Sequence, residues 1–278
     1  MDYDDYYPDD LGGEEYQIDP VEEEAVDQLG GFFKQNKDDV FFSKQLEVQN
    51  EKGYFHWVTN RAIKRLINDG LLSSQPLQLS LQLKLGAIEG GKIIFLWHRS
   101  NRYYKRQLDK VYKLVSEYSS PDVGKSLGQQ GEKLVLEAFA KNQFILQGVH
   151  TREFKGKEWR GSGYNLDFIF ERDRIAYGIE VKNTLSYMDY KEFKEKIRIC
   201  EFLGIKPIFA VRMLPKTWID YVIKLGGYAL ILKFQFYPWA LRPLARRIAV
   251  ELKLPVDTPD TLADTTMARV MKWHEKKL

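Results

Sequence analysis

The chain has 278 residues, 44% of them hydrophobic, enough to bury a sizeable core and long enough to suggest two domains rather than one. Its single cysteine, Cys200, excludes an internal disulfide framework and a cysteine-rich zinc site, and no apolar run approaches the ~18 residues of a transmembrane helix. The net charge of +3 hides an asymmetry: residues 1 to 33 hold 12 Asp or Glu and no Lys or Arg, leaving 42 basic against 27 acidic residues in the rest, a body suited to a polyanionic partner.

The first stretch, MDYDDYYPDDLGGEEYQIDP, is acidic and poor in apolar residues, so residues 1–28 are predicted to be a disordered tail. It reads either as a solubilising tail or as an internal mimic of nucleic acid. It lacks the basic start and apolar centre of a signal peptide, which points to a soluble cytoplasmic protein with no membrane partner. EEAVDQLGGFFKQN then predicts a helix, and Ser43 can cap a second, SKQLEVQN. From Trp57 to Asn68, Val58, Ala62, Ile63, Leu66 and Ile67 fall on one helical face, and Gly70 ends the helix. LQLSLQLKL alternates from Leu77 to Leu85, and a turn at Gly90 and Gly91 returns the chain as KIIFLWH, a half-buried hairpin. Three helices followed by a hairpin resemble a winged helix-turn-helix domain over about residues 22 to 100. In that resemblance the third helix turns Asn60, Arg61, Lys64 and Arg65 toward DNA, although such domains also dock proteins and a basic face can be merely solvated.

A connecting helix is predicted over Tyr104 to Tyr118, so the first domain spans 29–118. SSPDVGKSLG reads as a linker, and its GKS trio lacks the earlier glycine and the leading strand of a phosphate-binding loop. In the helix GEKLVLEAFAKNQF, Glu132 shares a sector with Val135, Leu136 and Phe139, so it approaches the core side; a first-turn carboxylate favoured by the helix dipole is the plainer account. LDFIF and IAYGIEVK flank the polar turn ERDR and predict an antiparallel hairpin. With an even loop, Phe170 faces Ile175 and Asp167 faces Gly178. Asp167 then shares a face with Glu180 and Lys182, on a diagonal of roughly 7 to 8 Å from Glu180, while Ile179 and Val181 pack inside.

Two carboxylates that close repel each other unless a cation joins them, and a hard divalent ion takes such oxygen ligands. A lysine beside them can balance phosphate charge or orient a metal-activated water. The competing account is a solvated Glu–Lys pair on an edge strand. The order of elements continues with a stripe of Tyr190, Phe193, Ile197 and Cys200 ended by Gly204, the strand KPIFAVR, the helix WIDYVIKL and the strand YALILKF.

An acidic helix, a strand with Asp167, a strand with Glu180 and Lys182, a helix and a further strand resemble the PD-(D/E)xK nuclease superfamily over about residues 128 to 235, nearest its archaeal Holliday-junction resolvase and Mrr-type branches. The family's Pro is absent, Leu166 preceding Asp167. The resemblance implies an α/β (α+β) protein: a winged helix-turn-helix domain followed, over 119–256, by a restriction-endonuclease-like αβββαβ domain with a mixed central sheet, and a helical tail over 257–278. It implies Mg²⁺ or Mn²⁺ held by Asp167, Glu180, the Val181 backbone carbonyl and Glu132, with Lys182 as catalytic lysine and Asp167, Glu180 and Glu132 as catalytic acids. DNA is the implied partner, and because cutting both strands commonly needs two sites, a homodimer is a candidate assembly.

The segment TREFKGKEWRGSGYN leads into Asp167. Arg152, Lys155, Lys157 and Arg160 surround Trp159 there, a mixture suited to phosphate contact and base stacking, or simply a surface loop. His150, with no second histidine nearby, reads as structural. ALRPLARRIAVELKLPVD predicts an amphipathic helix and TPDTLADTTMARVMKWHEKKL a second, both as cover for the sheet. Two functions follow: a metal-dependent DNA endonuclease, or a nucleic-acid-binding regulator on a relic nuclease fold.

Overall fold

A computed structural model describes residues 19–78 and 92–276 of the chain. It divides into two compact units: the first runs to Pro121 and takes in Arg247–Leu254, and the second comprises Asp122–Arg246 and the chain from Pro255.

In the first unit, α1 (Pro20–Gln35) begins with Pro at its first position, capped by Asp19, whose carboxylate accepts from the Val21 N–H at 2.9 Å. The helix therefore takes up residues 20 to 28 of the expected acidic tail, because Ala25, Leu29 and Phe33 give it a face to bury. The first 18 residues lie outside the described part. A short strand β1 (Val40–Phe42) precedes α2 (Ser43–Asn50), so Ser43 opens the helix rather than capping it. In α3 (His56–Asn68) the expected residues Val58, Ala62, Ile63 and Leu66 are buried, and Gly70 follows with φ of 72°.

Strands β2 (Leu72–Gln78) and β3 (Lys92–His98) complete an antiparallel sheet of order β1-β3-β2. Most of the expected strand from Leu77 to Leu85, and the Gly90–Gly91 turn, lie outside the described residues. The described strand starts earlier and carries Pro76, tolerated because β2 is an edge strand. The helix α4 (Tyr104–Tyr118) follows as predicted.

The expected linker SSPDVGKSLG does contain the boundary between the two units, after Pro121, but most of it is helical. It is helical from Pro121, and α5 (Pro121–Lys141) runs continuously because Val123, Leu127, Gly131, Leu134 and Ala138 form one buried stripe. Gly131 has a steric purpose: a Cβ there would lie 2.6 Å from the Asn183 Cβ. Next come β4 (Ile145–Thr151), the small hairpin β5 (Glu153–Phe154) and β6 (Lys157–Glu158), then β7 (Leu166–Arg172) and β8 (Ile175–Lys182). The chain continues through α6 (Tyr190–Leu203), β9 (Lys206–Val211), α7 (Lys216–Lys224) and β10 (Tyr228–Ile231). It closes with β11 (Gln235–Phe236), α8 (Arg242–Glu251), β12 (Val256–Asp257) and α9 (Asp264–Glu275).

The main sheet is mixed, of order β10-β9-β8-β7-β4, with β8, β9 and β10 parallel and β4, β7 and β8 antiparallel. One core joins Leu134, Val135 and Phe139 of α5 to Phe168, Phe170, Tyr177, Ile179 and Val181 of the sheet and to Met267 and Val270 of α9. Phe193 and Ile197 of α6 pack with Phe209 and Val211 of β9. The segment 257–278, expected as a tail, thus gives the core a helix, and buried His274 joins the Tyr177 hydroxyl at 2.6 Å to the Asp173 carboxylate at 2.8 Å. The expected continuous domain 119–256 also needs correction. Arg247–Leu254 belongs to the first unit, where the Leu252 carbonyl accepts from the Gln45 amide at 2.9 Å and the Gln49 amide at 3.2 Å.

Candidate active site

The hairpin that carries the charged residues closes more tightly than the sequence suggests. Arg172 pairs with Ile175, so the turn is Asp173–Arg174, with φ of 50° and 63°. Two consecutive left-handed residues make the turn type whose twist matches the flanking strands. The expected pairing of Phe170 with Ile175 is therefore corrected by two residues: Phe170 pairs with Tyr177, and Phe168 with Ile179. The shift is even, so faces are unchanged. Ile179 and Val181 still pack into the core, and the same register continued by one residue sets Asp167 directly opposite Glu180, not on a diagonal.

β8 lies in the centre of the five-stranded sheet, between β7 and β9. A solvated pair on an edge strand is thereby ruled out. Glu180 is 4% exposed and Asp167 9%. The Val181 N–H donates to Asp167 Oδ2 at 2.7 Å, so Val181, implied as a ligand through its carbonyl, also enters the site through its amide and fixes the neighbouring carboxylate. Burial, and then the Asp167 charge, push the Glu180 carboxyl up to about 8, against the attraction of Lys196. Burial also raises Asp167, opposed by the Val181 hydrogen bond and by Lys196. Glu132, half-buried on α5, is raised by burial and then by Asp167. The helical sector read from the sequence does bring Glu132 toward the strand carboxylates.

Lys182 is turned to a partner absent from the sequence reading. Its ammonium lies 2.9 Å from both carboxylate oxygens of Glu192 in the first turn of α6, a helix capped by Asp189. A second lysine, Lys196, 5% exposed on the same helix, makes an ion pair with Glu180 Oε2 at 2.5 Å and donates to the Asn165 carbonyl at 2.5 Å. His150, read as structural, stands between Glu132 and Asp167. Its Nε2 is 3.5 Å from Glu132 Oε2, and its Nδ1 is 3.8 Å from Asp167 Oδ1. It sits on β4 beyond a bulge, with φ of 45°. A helical spacing of four from Glu192 to Lys196 was the only sequence signal for this pair, and β4 offered none for His150.

The residues expected to touch nucleic acid fall into two groups. Around β5 and β6, Lys155, Lys157 and Arg160 are exposed and Arg152 is half-buried. Lys155 pairs with Glu171 at 2.7 Å, Arg160 with Glu158 at 2.8 Å, and Arg152 donates to the Ser162 carbonyl at 3.3 Å. The Trp159 ring is committed to the fold: it packs edge-on against Phe202, its Nε1 donates to the Ser162 hydroxyl at 3.0 Å, and it lies against Gly161. A base-stacking role for that ring is not supported by this packing.

On α3 the intended DNA face meets acids of its own unit. Asn60 donates to Glu47 at 2.9 Å, Arg61 approaches Glu22 at 3.9 Å and Arg65 approaches Glu23 at 3.8 Å. Lys64 is exposed.

Among the described residues no three His, Cys, Asp or Glu side chains form a group that could hold a metal ion. The donors that fit a hard divalent cation are the two carboxylates of Asp167 and Glu180, whose burial and mutual repulsion a cation would relieve, with Glu132 beside them. No helix among the described residues is long and apolar enough to cross a membrane. No family model, curated protein or solved structure matches the chain, so the geometry of the site itself carries the functional reading.

Proposed function

We propose that the protein is a Mg²⁺- or Mn²⁺-dependent endonuclease that hydrolyses DNA phosphodiester bonds, with the first unit acting as a winged helix-turn-helix that anchors the substrate. The observation that carries this reading is the pair of buried carboxylates, Asp167 and Glu180, on adjacent strands at the centre of a mixed sheet, with Lys182 two residues further along the same strand. The second unit also runs α5-β4-β7-β8-α6-β9 around its inserted β5–β6 hairpin, the order of elements the nuclease resemblance implies. For the anchoring role, the support is three helices packed with a β1-β3-β2 sheet.

When bound, the cation would supply Lewis-acid stabilisation of phosphate charge and a water of lowered pKa. Asp167 and Glu180 would hold it, with Glu132 alongside, and the Val181 N–H keeps Asp167 oriented. Lys182 would stabilise the negative charge that develops on the phosphate once its ammonium leaves Glu192. Cutting both strands would require two copies of the chain or two successive nicks.

One observation favours a second reading, a nucleic-acid-binding regulator on a relic nuclease fold: both lysines near the carboxylates are already ion-paired, Lys182 with Glu192 and Lys196 with Glu180. Incubating the purified protein with linear, nicked, flapped and four-way DNAs, and with RNA, in Mg²⁺, Mn²⁺ or EDTA separates the two. Cation-dependent cutting supports the enzyme; tight binding with no cutting in either cation supports the regulator.

A further inference from the structure

Lys196 touches both halves of the proposed site. Its ammonium meets Glu180, a proposed cation ligand, and its other contact is the carbonyl of Asn165, the last residue of the basic segment that begins near Arg152. The Asn165 side-chain amide in turn donates to the His150 carbonyl at 3.1 Å. Helix α6 holds the same segment at two more points: the Glu195 carboxylate accepts from the Ser162 hydroxyl, and Phe202 packs on Trp159. Burying an ammonium is costly, and an apolar residue would fill the same space without that cost. A packing role therefore gives no reason for the charge, whereas a link between a carboxylate and a backbone carbonyl does.

We infer that Lys196 is a positioning residue that couples the basic segment 152–165 to the cation site. A cation taken up by Glu180, with release of any proton its carboxyl holds, displaces the Lys196 ammonium from that carboxylate, which changes its hold on Asn165 and so the ordering of the segment that would meet the phosphate backbone. By reciprocity, nucleic acid engaging that segment alters cation affinity at Glu180. The inference rests on the nuclease reading, because it takes Glu180 as a cation ligand.

Hydrogen exchange of the segment, with Mn²⁺ as probe and no DNA present, tests it without reference to cleavage. Calorimetry on the same samples reports Mn²⁺ binding. In the unmodified protein, saturating Mn²⁺ should change exchange across residues 152–165 on the order of fivefold, the lower end of typical coupling. In Lys196→Met the protein should still bind Mn²⁺ but lose that response, and Lys196→Arg should keep it. Should the Met variant not fold, Lys196→Gln, which retains a donor for the Asn165 carbonyl without the charge, serves the same purpose. Mn²⁺ binding without any change in the segment, or an unchanged response in the uncharged variants, would overturn the coupling while leaving the nuclease reading intact. Failure of the unmodified protein to bind Mn²⁺ would overturn both.

Discussion

The α3 face and the β7–β8 site both present charges in a pattern that suggests DNA chemistry, yet the structure treats them differently. On α3 the arginines approach acids of α1 at 3.8 to 3.9 Å from partly exposed positions. At such lengths, and with the arginine of each pair open to water although Glu22 is buried, the pairs are screened and contribute little, about 0 to 1 kcal/mol each. At β7–β8 the carboxylates are almost wholly buried, burial raises the proton affinity of both, and the Asp167 charge raises that of Glu180 further. Burial of a charge beside a like charge is the more informative signal, because folding alone would select against it.

Apart from the proposed cation ligands themselves, the largest effect that could break this contrast lies with Lys182. Lys182→Met should reduce cleavage by about 10²- to 10³-fold, the size of effect seen when one transition-state charge donor is removed, while Mn²⁺ binding persists in calorimetry. Undiminished cleavage would show that the ammonium remains on Glu192 throughout and takes no part in the reaction.

A smaller effect concerns stability. The Glu180 carboxyl is pushed up to about 8 in the fold from an ordinary 4.5. Between those values the folded protein keeps a proton that the unfolded chain has released. This contribution is therefore fully present below about pH 4.5 and is lost as the pH rises toward 8, by a few kcal/mol. Thermal unfolding in EDTA should show a lower Tm at pH 8.5 than at pH 5.5, and Glu180→Gln should flatten that slope. A Tm that does not fall would mean that Lys196 keeps Glu180 ionised throughout.

The smallest effect belongs to α3. Replacing Arg61, Lys64 and Arg65 together with Ala should change stability little. Each lost phosphate contact removes about one unit from the slope of log affinity against log salt. Because Glu22 and Glu23 already engage the two arginines, the slope should fall by about one unit, the share of Lys64, rather than three. A fall of about three units would show that both arginines leave their acids for DNA, and no change would point to a protein-docking role.

How much of this was legible in the sequence follows from the range of the interactions involved. The hairpin faces were readable because side-chain direction alternates with a period of two, so a turn shorter by two residues left Asp167, Glu180 and Lys182 on one face. The stripe of Phe193, Ile197 and Cys200 was readable because helical burial repeats locally, whereas Tyr190, expected as its first member, is exposed. β4 was missed because it is an edge strand whose Ile145, Leu146 and Val149 remain exposed and whose Gly148 breaks any alternation. The start of α5 was missed because Gly124 and Gly128 resemble linker residues, whereas the burial of Val123 and Leu127 that extends the helix depends on tertiary packing. Lys196, Glu192 and His150 reach the site from 17 or more positions along the chain from Asp167, and no local pattern encodes such meetings.

The central claim is that Asp167 and Glu180 bind the cation with which DNA is cut. It is tested most directly by measuring Mn²⁺ binding and nicking of duplex DNA on the same samples, over the same range of Mn²⁺, for the unmodified protein and for Asp167→Ala. The account predicts that binding and nicking rise together in the unmodified protein, and that Asp167→Ala loses both while retaining DNA affinity. Full nicking by Asp167→Ala, or nicking by the unmodified protein in EDTA, would contradict it.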